Sequence, residues 1–137
     1  MLESLPVFPH GLPVSHSFVA FIDESGDDGL GNLKVPGSNG GQSHFLVISA
    51  TVFRATNSVS AVGWRDGILA KLPEKKVRQL HFKDLNHGQR LMAAQSLARL
   101  PIRVTSVLAA KRPIPPGMYA EKNQLYFYMT RYLVERL

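Results

Sequence analysis

Carboxylates crowd one short stretch of this sequence. Within FIDESGDDG at 21–29, Asp23, Glu24, Asp27 and Asp28 supply four of the ten acidic residues in a chain of 137, which also carries sixteen Lys and Arg. Oxygen donors at that density suit a hard cation such as Mg²⁺ or Mn²⁺, which takes carboxylates and keeps several waters. The apolar run SFVAFID at 17–23 ends on the first of these acids and Gly26 follows at once, so a rigid strand would carry a carboxylate to an exposed edge. In two-metal phosphoryl transfer such a carboxylate bridges the ions that activate water and stabilise the leaving oxygen. Alternation sends Asp23 and Glu24 to opposite faces, one as ligand and the other as support, with Asp23 the expected ligand. A polar hairpin turn, built of Asp, Ser and Gly for local reasons, accounts for the same residues.

Two familiar cation and phosphate loops are excluded. An EF-hand starting at Asp23 needs Gly at 28 and Glu at 34, where Asp28 and Lys34 stand. No string matches the G-x-x-x-x-G-K-[ST] phosphate loop.

A second group lies in LHFKDLNHG at 80–88, where His81, Asp84 and His87 recur every third residue. On a helix they would share a face and could act as ligands, or as a general base with its orienting carboxylate. The competing reading is a surface loop in which Asp84 or Asn86 caps a following helix. Basic residues gather nearby: Lys71, Lys75, Lys76, Arg78, Lys83 and Arg90, with Phe82 among them. The formal charge of +6 attracts polyanions, and these bases could neutralise a nucleic-acid backbone or simply solvate a helix end. Lys111 and Arg112 are candidates for the same surface, and Glu121 is a weaker candidate for the acidic site.

The elements that must position these groups read as an α/β domain with a mixed sheet and flanking helices. Residues 1–16, with Pro6, Pro9, Pro13 and Gly11, form an irregular lead-in, and 17–137 form one domain. Strands are expected at 17–23, at FLVISATVF (45–53) and at IRVTSVLAA (102–110), with a short edge strand at 78–82. The loop between the first two strands holds six of the eleven glycines, so ordering it is entropically expensive and mobility is expected. Apolar residues spaced by three and four predict a helix at 57–72, capped by Asn57 or Ser58 and stopped by Pro73. A second helix at 88–100 has Asn86 as cap and Leu91, Ala94, Leu97 and Ala98 as its stripe. The strand, helix, strand order suggests a parallel crossover. A last helix runs from Leu125 through Tyr128, Met129, Tyr132 and Leu133 to the end without a C-cap glycine, and the domain is expected to be truncated there. Its aromatic residues are expected to pack more than to stack on bases.

Composition excludes other classes. Without cysteine there are no disulfides or thiolate metal sites. The N-terminus has Glu3 and three prolines where a secretory signal would be basic and apolar, and no apolar run approaches the ~20 residues of a membrane span. A cytoplasmic protein with no membrane partner is the expectation.

FIDESGDDG, FLVISATVF, LHFKDL and AEKNQLYFYMTRYL together resemble the bacterial and phage family catalogued as domain of unknown function 3800, over about residues 17–137. The resemblance implies a ribonuclease H-like fold and a divalent-metal-dependent nuclease, with Asp23 as the first-strand ligand, Glu24 and His81 supporting metal or water, and Mg²⁺ or Mn²⁺ as cofactor. It also implies a later Ala-Asp motif, which has no counterpart in these residues. DNA and RNA are equally open as substrates. The rival reading is a non-catalytic nucleic-acid-binding module, or one that oligomerises by burying Tyr128, Met129 and Leu133 of the last helix.

Overall fold

The computed structural model describes residues 15–72 and 80–137. Three strands, β1 (Phe18–Gly26), β2 (Phe45–Arg54) and β3 (Arg103–Ala110), form one sheet in the order β1-β2-β3. Both pairings are antiparallel, with Asp23 opposite Ser49 and Ser49 opposite Ser106. Three helices complete a mixed α/β architecture: α1 (Ser58–Leu69), α2 (His87–Leu97) and α3 (Gln124–Val134).

The expected parallel crossover is therefore wrong. Two helices separate β2 from β3, and they pack on each other through Ile68, Leu72, Leu85 and Ala93. The chain thus re-enters the sheet at the end where it left, Arg103 opposite Val52, and the strands run in opposite senses. The lead-in at 1–14 and Pro73 lie outside the described residues, as do 78 and 79 of the expected edge strand. Its remainder is not a strand: Leu80 and His81 are irregular, and Phe82 opens a 3₁₀ turn at Phe82–Asp84.

Helix α3 covers one face of the sheet. Leu125, Met129 and Leu133, spaced by four, meet Leu46, Ile48 and Ala50, spaced by two, so helical and strand periods interlock in one core. Leu46, Ile48 and Leu133 are almost fully buried, each worth about 1.5–3 kcal/mol relative to exposure. Met129 and Leu133 are thereby buried within the chain, while Tyr128 and Tyr132 stay exposed.

The opposite sheet face is covered at one end only. Phe53 meets the edge of Trp64 from α1 at 5.7 Å and stacks on Phe21. In α2 the anticipated stripe faces outward at Leu91 and Leu97, while Gln89 and Ala93 turn in. The reason is local. Asn86 Oδ1 accepts from Gln89 N, and Gln89 Oε1 accepts from Asn86 N, a reciprocal cap that fixes the helix phase from its first turn.

Candidate functional site

The end of β1 and the first turn of α3 enclose a cleft of about 380 Å³. Glu24, Asp27 and Asp28 line it from the strand side, and Asn123, Tyr126 and Phe127 from the helix side. Strand alternation explains which acid enters. Glu24 lies opposite Ile48 and so shares the face that packs on α3, whereas Asp23 lies opposite Ser49 on the other face. Asp23 is exposed there, its Oδ1 accepting from Glu24 N at 2.9 Å. Of the two expected site acids, the structure therefore brings Glu24 and not Asp23 to the cleft.

Gly26 makes the exit from β1. Its φ is +92°, a region that side chains rarely adopt, and a Cβ there would collide with Phe45 O. The chain turns there, and Asp27 and Asp28 come round beneath the helix terminus.

Asp27 is not free for a ligand. Its Oδ2 accepts from Ser43 N at 2.8 Å, and its Oδ1 accepts from Lys111 Nζ at 2.9 Å and from Gly29 N at 3.2 Å. Burial alone would raise the carboxyl pKa, but the hydrogen bonds from Ser43 and Lys111 outweigh it and bring Asp27 down to about 2. Lys111 is itself buried, its ammonium also donating to Asp27 O at 2.7 Å and Gly29 O at 2.8 Å. This corrects its sequence reading as part of a phosphate-binding surface.

The remaining acids are Glu24 and Asp28. These two and Asn123 line the cleft, and their side-chain oxygens are of the hard kind that Mg²⁺ or Mn²⁺ takes. The positive end of the α3 dipole faces the same space and favours an anion. Asp28 also borders a groove of about 610 Å³ that Glu121 lines; Glu121 precedes α3 and does not lie on it. Asn123, in the left-handed region at φ 63°, is a cleft residue that sequence reasoning missed, since nothing in its neighbourhood marks it as polar lining.

The second group stays apart. His81 is exposed just before the 3₁₀ turn and Asp84 closes that turn, its N–H donating to His81 O at 3.0 Å. Neither lines the cleft, and His87 opens α2 behind the Asn86 cap. No three His, Asp or Glu among the described residues converge as a ligand set. Lys83 is exposed, and Arg90 sits over the Phe82 ring at 4.7 Å while its Nε donates to Phe82 O. Lys75, Lys76 and Arg78 lie outside the described residues.

No family model, curated protein or solved structure matches this chain. Among the described residues no helix is long and apolar enough to cross a membrane.

Proposed function

We propose that this chain is a divalent-cation-dependent nuclease domain of ribonuclease H-like type that hydrolyses nucleic-acid phosphodiester bonds. One observation carries it: Glu24 and Asp28 stand in one cleft against the N-terminal turn of α3, so cation ligands and an anion-favouring helix terminus share a space. The excess of sixteen basic over ten acidic residues supports a polyanionic substrate, and the resemblance of FIDESGDDG to the domain of unknown function 3800 family supports the reaction class. Glu24 and Asp28 hold Mg²⁺ or Mn²⁺, which when bound supplies Lewis-acid stabilisation of the phosphodiester. The first turn of α3 orients the phosphate, and Lys83 with Lys75, Lys76 and Arg78 adds sequence-independent attraction.

The test is cleavage of labelled single- and double-stranded DNA and RNA with Mn²⁺ or Mg²⁺. Glu24→Gln is expected to lower the rate by on the order of a hundredfold. Asp23→Asn, on the far face, is expected to leave it within about threefold. Equal cleavage by Glu24→Gln, or cleavage that survives chelation, overturns the assignment.

A non-catalytic nucleic-acid-binding module is the second reading, favoured by the commitment of Asp27 to Lys111, which leaves the cleft two carboxylates. Its signature is affinity unchanged by chelation and by Glu24→Gln, without cleavage.

A further inference from the structure

We propose that the outer edge of β3 is a docking site for an extended apolar peptide that pairs antiparallel to β3 and places a free C-terminal carboxylate at Arg136. Among the described residues β3 is paired on one side, to β2. Lys111 N donates to His44 O at 2.9 Å, and the register puts these two residues opposite each other. Bonded and non-bonded pairs alternate along an antiparallel ladder. Thr105, Val107 and Ala109 therefore turn their N–H and C=O groups to β2, and Ser106, Leu108 and Ala110 turn theirs outward. The bond from Ala55 N to Ser17 O sets the same phase across β2 from the other side. No bond from a neighbouring loop or helix among the described residues takes up the outward groups of Ser106 and Leu108.

Edge strands are commonly blunted by proline, by charge or by a bulge. From Val104 to Ala110 this edge has none of these: no proline or charged residue occurs, the register runs unbroken, and Leu108 is 63% exposed.

A groove of about 650 Å³ follows the edge, walled by Met118, Tyr119, Tyr128 and Tyr132. The rings of Tyr119 and Tyr128 lie 5.5 Å apart, so the wall is aromatic and continuous. A strand added to β3 would lay alternate side chains against it. Of the described residues lining the groove Arg136 alone is charged, and the nearby Glu135 is paired with Arg131. Its guanidinium stacks on Tyr132 at 3.2 Å and its Nη1 donates to Tyr132 O at 2.8 Å, which fixes the fork and, among the described residues, leaves other N–H donors without an acceptor.

The position of that cation sets the polarity of the guest. The first turn of α3 shares a cleft with Leu46, which is opposite Ala109, and Leu137 shares one with Arg103. α3 thus runs antiparallel to β3, and Arg136 stands near the start of the strand. A peptide antiparallel to β3 ends there, where its carboxylate meets the guanidinium. A second copy of β3 in the same place would bring no carboxylate, because the strand contains none. A small carboxylic acid would leave the outward backbone groups of Ser106 and Leu108 unpaired.

A random peptide library displayed with free C-termini, selected on the full chain, supplies the probe. The selected peptide is then made as acid, as amide and with alternate backbone amides methylated, and titrated by fluorescence anisotropy. The acid is expected to bind, with the amide weaker by about tenfold or more and the methylated peptide inactive. Arg136→Gln is expected to erase the difference between acid and amide while circular dichroism stays unchanged. Leu108→Pro, which removes an outward N–H from the edge, is expected to abolish binding; the methylated peptide makes the same point without altering the protein. Any of four results overturns the proposal: no peptide enriched, an amide as tight as the acid, tolerance of methylation, or a self-associated protein whose β3 edge excludes the peptide.

Discussion

Lys111 Nζ lies 2.9 Å from Asp27 Oδ1, joining residues 84 positions apart, and the two bury unequally: the Lys111 side chain is 0% exposed and the Asp27 side chain 45%. The lysine therefore depends on its partner far more than the aspartate does. Among the described residues its charge is met by Asp27 O, Asp27 Oδ1 and Gly29 O.

That asymmetry predicts an order of damage. Asp27→Ala leaves a buried ammonium with two carbonyls and no counter-charge and is expected to cost about 3 kcal/mol, the low end for breaking a buried pair because Asp27 is itself half-exposed. Lys111→Met keeps the volume and removes the charge, so it is expected to cost about 1–3 kcal/mol for the two carbonyls left without a donor. Urea denaturation at neutral pH checks the order, and a smaller loss for Asp27→Ala than for Lys111→Met contradicts it.

The same carboxylate makes stability depend on acid. Asp27 is held at about 2 in the folded chain against 3.8 for the free group. The folded value is the lower one, so the unfolded chain binds the proton more readily. The stabilisation is complete above pH 4 or thereabouts and is lost as pH falls from there towards 2. Thermal midpoints measured across that window are expected to fall less steeply in Asp27→Asn than in the parent.

Phe53 and Trp64 join α1 to the sheet, and Trp64 is the single tryptophan of the chain. Phe53→Ala is expected to cost about 3–5 kcal/mol, as for other buried phenylalanines. Its tryptophan emission is expected to move to the red as the indole loses its cover. An unshifted spectrum would show that α1 stays docked without this pair.

Asn86→Ala removes one half of the reciprocal cap on α2. The expected cost is about 1 kcal/mol, and faster amide exchange should be confined to the first turn of α2, at Gln89 above all.

Local chemistry was legible in the sequence wherever it acted locally. β-branched and aromatic runs marked all three strands, Asn86 announced its cap, and the spacing of Leu125, Met129 and Leu133 marked the helix that covers the sheet. What escaped was set by distant partners. The antiparallel course of β3 follows from α1 packing on α2, and the burial of Lys111 from a carboxylate on another strand's exit. Alternation showed that Asp23 and Glu24 must part, but the face taken by each depended on where α3 settles, which the β1 sequence does not encode. The glycine-rich loop was expected to be mobile, yet it carries bonds of its own: Lys34 N to Gln42 O, Gln42 N to Asn32 O and His44 Nε2 to Lys34 O.

Those bonds divide that loop into a tied base and a loose crown. Asp27 and Ser43 clasp its two ends through two hydrogen bonds, and Asn32, Lys34 and Gln42 form a second rung above them. Beyond Lys34 and Gln42 the bond among the described residues is that of Ser38 back to Val35. The chain around Gly37 and Gly40 is thus insulated from the sheet: a graft spliced there lengthens a loop that is already closed, and doubling its length adds only about 0.6 kcal/mol of closure entropy. The acidic cleft below would be unaffected by what the crown carries, which makes this turn the natural place to mount a label or a tag.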